Sequence, residues 1–125
     1  MHDKKVLLVD DDANIITTLG KLLTDAGAQV ETATTYDAGL ALFKSKPFDL
    51  AILDLMLPQH TGLELVKAAK ELPGKHPFFV ILTNSINAEN VADAMEANVT
   101  MFIQKADHDP AQIIDMVQKR LQQLG

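Results

Sequence analysis

Hydrophobic residues gather in five short runs along this chain, each bounded by polar residues, and longer stretches with apolar positions three or four apart lie between them. The runs are rich in β-branched or aromatic residues and predict strands over Lys5 to Asp10, Gln29 to Ala33, Phe48 to Asp54, Phe78 to Thr83 and Met101 to Gln104. Strands alternating with helical stretches are the pattern of βαβ units. The first, third and fourth runs are nearly all apolar, as strands covered on both faces must be. They are expected at the sheet centre, with the more mixed second and fifth at the edges.

The first helix is expected over Asn14 to Ala26, with Ile15, Ile16, Leu19, Leu22, Leu23 and Ala26 on one stripe and Gly27 as its C-cap. Further helices are expected over Tyr36 to Lys44, Gly62 to Leu72 and Ala88 to Ala97, with Pro73-Gly74 stopping the second of these. The last begins with Asp109 as N-cap and Pro110 in the first turn, then buries Ile113, Ile114, Val117, Leu121 and Leu124. The helix at Ala88 to Ala97 stands apart. Val91 and Met95 are its only large apolar anchors and Asn84, Asn87, Asn90 and Asn98 surround it, so it should be loosely held, as segments that move in switching are; the plainer alternative is an alanine-rich helix with a small footprint.

Length and composition narrow the class. At 125 residues, 47% hydrophobic and 22% charged, the chain suits one globular domain. It has no cysteine, so neither a disulfide framework nor a thiolate metal site is available. A charged start and the lack of a long apolar run argue against a signal peptide or membrane insertion, and a cytoplasmic protein is expected. A formal net charge of −6 without a basic run disfavours direct contact with nucleic acid.

In a parallel sheet of this kind the C-terminal strand ends converge on one edge, where open α/β folds bind ligands. Asp10-Asp11-Asp12 follows the first run there, Asp54 ends the third, Thr83 ends the fourth and Lys105 follows the fifth. Three consecutive carboxylates repel one another unless a cation offsets them. A hard divalent ion such as Mg2+, or Mn2+ in its place, would do so and would complete its shell with phosphate oxygens. Capping needs one acid, and Asp12 is read as the N-cap of the first helix, leaving Asp10 and Asp11 for the metal. Asp54 is a carboxylate in buried-looking sequence, and such a group can attack phosphorus to give an aspartyl phosphate. A strand-end acid bonded to backbone amides is the simpler reading of Asp54 taken alone, as a solvated lysine is for Lys105 and an ordinary strand residue for Thr83.

Other phosphate chemistries lack their loops: neither G-x-G-x-x-G nor G-x-x-x-x-G-K-[ST] occurs. His2, His60, His76 and His108 show no metal-ligand spacing, and only His60, just after Asp54, is placed to approach the site.

Taken together, Leu7-Leu8-Val9-Asp10-Asp11-Asp12, Asp54-Leu55-Met56-Leu57-Pro58 with Gly62 beyond it, Ile81-Leu82-Thr83 and Phe102 through Lys105 resemble the receiver domains of two-component response regulators. The resemblance implies a doubly wound (βα)5 sandwich of flavodoxin-like type, with a parallel sheet of order 2-1-3-4-5 and helices on both faces. It implies one receiver domain over residues 1–125 without an effector domain, acting as a switch and not as an enzyme on other substrates. Asp54 would accept a phosphoryl group from a sensor histidine kinase or a histidine phosphotransfer protein. Asp10, Asp11, Asp54 and the Met56 main-chain carbonyl would hold the metal, Thr83 and Lys105 would bind phosphoryl oxygens, and Phe102 would switch with Thr83. A downstream protein would read the face made by the fourth helix, fifth strand and fifth helix, with the chain a monomer or a phosphorylation-linked dimer.

The chain departs from the family pattern at Ala106, where proline is usual, at Asn84, where a small residue is usual, at Asn98, where glycine is usual, and at Thr61, where aspartate is common. Met56, Asn84 and Ser85 would tune phosphoryl lifetime. Met56 offers no strong hydrogen bond to an attacking water, so a long-lived phosphoaspartate is expected. The competing readings are a receiver-like interaction module that works without phosphorylation, and a small phosphatase using Asp10 or Asp12. The phosphatase would need a substrate-shielding cap that 125 residues do not supply.

Overall fold

A computed structural model describes residues 1–84, 86–99 and 101–124, without the side chains of Ala88 and Leu124. Among the described residues five strands alternate with five α-helices: β1 (Lys5–Val9), α1 (Ala13–Asp25), β2 (Gln29–Ala33), α2 (Tyr36–Ser45), β3 (Leu50–Asp54), α3 (Gly62–Lys70), β4 (Phe78–Thr83), α4 (Ala88–Glu96), β5 (Met101–Gln104) and α5 (Pro110–Leu124). All strand pairs are parallel and the sheet order is β2-β1-β3-β4-β5. The apolar runs expected at the centre are there, and the mixed ones form the edges.

Alternation along the central strands divides the core in two. Val6, Leu8, Leu50, Ile52, Val80 and Leu82 pack under α1 and α5 with Leu19, Leu23, Ile113 and Val117. Leu7, Val9, Ala51, Leu53 and Ile81 face α2, α3 and α4, meeting Leu65, Val66 and Ala94. Ile15, Ile16, Leu22 and Leu121 lie at the margin and are only partly buried.

The ends of elements follow side-chain capping. Asp12 caps α1 by accepting from the Asn14 N–H at 2.9 Å. Thr35 caps α2 and Thr61 caps α3 in the same manner. Asp109 and Gln112 cap α5 reciprocally, each side chain accepting from the other's backbone N–H. Ala26 and not Gly27 is the C-cap of α1, and Gly27, at φ +98°, takes the left-handed position just beyond it. Two boundaries differ from the sequence reading by two residues, and the remaining shifts are of one residue. α3 ends at Lys70, two residues short of Leu72, because Pro73 drives its predecessor out of helical conformation. β3 begins at Leu50 and not Phe48, since Asp49 turns its carboxylate to the Lys5 N–H at 2.9 Å.

The larger correction concerns α4. Its supposed anchors face water: Val91 is 38% exposed and Met95 70%. Ala94 and Ala97 make the contact with the core instead, followed by Val99. Two of the surrounding asparagines have structural work, Asn87 as N-cap and Asn98 in the left-handed region at φ 60°. From α3, the Lys70 ammonium donates to the Ala97 carbonyl and lies over the Phe79 ring, fastening the end of α4.

Candidate functional site

The parallel sheet brings the ends of β1, β3, β4 and β5 to one edge, and the polar residues there are buried to unequal depths. Asp10 lies one residue beyond β1 and is fully buried, while Asp54 and Thr83, the last residues of β3 and β4, are almost so. Asp11 is exposed at the rim. One carboxylate oxygen from each of Asp10, Asp11 and Asp54 lies within 4.8 Å of the others.

Lys105 reaches into this acidic group from the end of β5. Its Nζ donates to Asp10 Oδ2 at 2.7 Å and lies 3.3 Å from Asp54 Oδ1. The other Asp10 oxygen accepts from the Asp12 N–H at 2.9 Å, so both are engaged. With Ala106 in the next position, the backbone turns into a short 3-10 segment over Lys105–Asp107 and still delivers the ammonium. Asn84 and Ala106 line the open cleft beside the acids, about 330 Å³ in volume.

The electrostatics follow from burial. Burial pushes the Asp54 carboxyl up from 3.8 to about 6, the Asp10 charge adds to this, and Lys105 opposes it. Asp54 is therefore still mainly a carboxylate at neutral pH. Burial acts to lower the Lys105 ammonium, but the Asp10 hydrogen bond and the charges of Asp54 and Asp10 outweigh it and hold the pKa above the usual lysine value.

A close approach behind Asp54 requires the glycine that opens α3. The Gly62 N–H donates to the Leu55 carbonyl at 2.7 Å, and a Cβ on Gly62 would stand 2.3 Å from the Asp54 main-chain oxygen. No larger residue fits that turn.

The family model for the response regulator receiver domain matches residues 6–118. The chain belongs to this family. Its curated relatives include the two-component response regulator PprB of Pseudomonas aeruginosa, 33% identical across 80% of this chain and 38% of that protein. The photosynthetic apparatus regulatory protein RegA of Rhodobacter capsulatus is also 33% identical, across 82% of this chain and 55% of that protein. The chain thus spans about two fifths to just over half of these relatives' length. Among solved structures, a CheY-like receiver domain protein from Methanospirillum hungatei superposes with a TM-score of 0.86 at 31% identity, covering 97% of this chain and 95% of that one. The BeF3-activated DrrB receiver domain gives 0.82 at 28% identity, covering 96% and 98%.

As a receiver domain, the protein carries its acids where the family's metal site lies, and an all-oxygen set of carboxylates fits a hard divalent cation. Asp10, Asp11, Asp54, Thr83 and Lys105 meet at one edge, as their strand-end positions led one to expect. Phe102 is half-buried on β5 against α4, while the Met56 side chain is 65% exposed. Ser85 lies outside the described residues. His60 corrects an expectation: it is not among the residues lining the cleft, but stacks on Tyr36 at 4.1 Å and bonds Glu64 at 2.7 Å. That bond, with burial a lesser opposing effect, holds the Glu64 carboxyl below its ordinary value. Sequence reasoning missed Gln104, whose side chain accepts from the Ile86 N–H and ties the β4–α4 connection to β5. It also missed the clamp by Lys70, and neither residue announces such a contact by its type.

Proposed function

We propose that this receiver domain is a phosphoacceptor switch in which Asp54 takes a phosphoryl group from a phosphohistidine on a sensor kinase or phosphotransfer protein. The observation that carries this reading is the convergence of Asp54, a buried carboxylate ionised at neutral pH, with a lysine and two further acids in an open cleft. An Asp54 carboxylate oxygen attacks phosphorus, the phosphorus–nitrogen bond breaks, and the imidazole leaves as the neutral base once protonated. Lys105 exchanges its bonds to the acids for phosphoryl oxygens, and the Thr83 hydroxyl donates to another. Asp10, Asp11, Asp54 and the Met56 carbonyl would hold Mg2+ or Mn2+, which supplies neutralisation of the phosphoryl charge. Drawing Thr83 toward the new phosphoryl group shifts the end of β4, and Phe102 follows it. A downstream protein then reads the surface of α4, β5 and α5.

Residues 1–125 act in this reading as a single receiver domain that signals by protein contact, in the cytoplasm, with no catalysis beyond gain and loss of its own phosphoryl group. Met56, two residues beyond Asp54, sets a slow hydrolysis, and Asn84, in the lining of the cleft, tunes the phosphoryl lifetime.

The test is intact mass after incubation with a small-molecule phosphodonor, with and without Mg2+, beside Asp54→Asn. A metal-dependent gain of one phosphoryl group, absent from the variant and lost over minutes or longer, is expected. No gain under any condition would overturn the reading, and loss within seconds would overturn the slow hydrolysis.

A further inference from the structure

The end of the sheet opposite the acids holds a cleft that phosphoryl transfer does not use. The α2–β3 and α3–β4 connections enclose about 320 Å³ there, over a floor of Phe43, Phe48, Ala69 and Leu72. Phe43 and Phe48 meet edge to face with ring centroids 6.0 Å apart. The rim is preformed. Pro73 and Pro77 restrict the second connection, and His76 closes it by donating from Nε2 to the Leu72 carbonyl at 2.9 Å. Across the ridge of Lys46, Pro47 and Phe48 lies a second hollow of about 280 Å³, which reaches Lys5, Val30 and Glu31 on β1 and β2.

Charge sets this end apart in a chain of net charge −6. Lys44, Lys46, Lys75 and His76 line the first cleft, and among the described residues no acid does. Residues 42–49 and 67–77 together hold five lysines against two acids, Asp49 and Glu71. Asp49 is turned to the Lys5 N–H, and Glu71 is exposed at the C-cap of α3. Farther round the same end, Asp25 is paired with Lys21, Glu96 is exposed where α4 stops, and Lys4 and Lys5 are exposed where β1 starts. Some of the lysines have other work. Lys46 holds Glu31, Lys70 reaches the Ala97 carbonyl, and Lys44 and Lys67 sit in the last turns of α2 and α3, where a cation offsets the helix dipole. Lys75 serves no helix end, and among the described residues neither it nor Lys44 has an acid within ion-pair reach. The ends of β3, Leu50 and Asp54, are about 13 Å apart at about 3.3 Å per residue. That exceeds the about 8 Å over which exposed charges act at physiological salt, so the acidic site does not cancel the lysines.

We infer that this cleft docks a short acidic segment of a partner protein, with one aromatic or aliphatic side chain filling the hollow over Phe43 and Phe48 while carboxylates beside it meet Lys44 and Lys75. Two small hollows side by side across Pro47 suit two side chains of one extended peptide better than a single compact anion. Apolar anchors supply the area, and complementary charge supplies selection and rapid encounter. The docking needs no phosphoryl transfer, since the cleft and Asp54 lie at opposite ends of β3.

The experiment follows the amide shifts of the isotopically labelled full chain on titration with a short peptide that carries two phenylalanines among aspartates. Its comparators are the same peptide with lysine for aspartate, the same peptide with alanine for phenylalanine, and phenylacetate. Shifts confined to residues 29–31, 43–48 and 69–77, binding roughly tenfold tighter than any comparator, and weakening with salt are expected. Lys75→Glu, on an exposed loop, should weaken binding by roughly fivefold or more with the rest of the amide spectrum unchanged. Lys119→Glu on α5 makes the same change of net charge away from the cleft and should weaken it by less than about twofold. Shifts elsewhere or none, equal binding of either altered peptide, equal loss in the two variants, or self-association that buries the cleft would overturn the inference. Equal affinity for phenylacetate would assign the cleft to a small organic anion and overturn it as well. Each of these results leaves the Asp54 switch standing, because none of the measurements passes through the phosphoryl group.

Discussion

Asp54 is stored in a state that its own environment opposes. Its carboxyl titrates near 3.8 when unfolded and about 6 when folded, so the folded chain holds the proton more tightly. Stability from this group is fully present below 3.8 and is lost as pH rises through about 6. Asp54→Asn should therefore be roughly 1–3 kcal/mol more stable than the parent at about pH 7.5 and nearly equal to it at about pH 4, read from urea midpoints across pH. A parent and variant differing equally at both pH values would refute this. Gly62 makes the converse case, a residue whose smallness the site depends on. Gly62→Ala drives a Cβ against the Asp54 carbonyl and should cost roughly 2–4 kcal/mol in the same assay.

At the scale of elements, α4 is held by its small residues and its two ends, not by large side chains. Val91→Ala and Met95→Ala should each change stability by less than about 0.5 kcal/mol, whereas Leu19→Ala or Ile113→Ala should cost about 2–5 kcal/mol. Comparable losses at all four positions in chemical denaturation would contradict the placement of Val91 and Met95 on the surface. The contrast shows where sequence reasoning reached and where it stopped. Periodicity located α4 within a residue or so, and it located the buried stripes of α1 and α5, because apolar spacing is a direct consequence of helix geometry. It misjudged the anchors of α4 because a helix can bury alanine and leave its larger residues outward for another surface. Pro73 and Asp49 moved two boundaries through local geometry and hydrogen bonding that hydrophobicity does not record.

For the whole molecule, parallel connectivity turns four separated stretches of sequence into one site, which is why the acids, Thr83 and Lys105 were legible before the fold was seen. Lys70 on Ala97, Gln104 on the Ile86 amide and His60 on Tyr36 were not legible, since each is a tertiary contact of a residue that is ordinarily solvated. Mg2+ should stabilise the folded protein by about 2.7 kcal/mol once its concentration is about a hundredfold above the dissociation constant, by binding the folded state alone, and so raise the thermal midpoint. Asp11→Asn, at an exposed position, should remove most of that gain without altering the midpoint measured in chelator, and an unchanged response to Mg2+ would exclude Asp11 from the metal set. The central claim, that Asp54 carries the phosphoryl group, is tested most directly by reducing the phosphodonor-treated protein with borohydride and mapping its peptides. Conversion of Asp54 to homoserine, dependent on prior phosphodonor and Mg2+, is the predicted result. Conversion at Asp10, Asp11 or Asp12, or at no residue despite full peptide coverage, would contradict it.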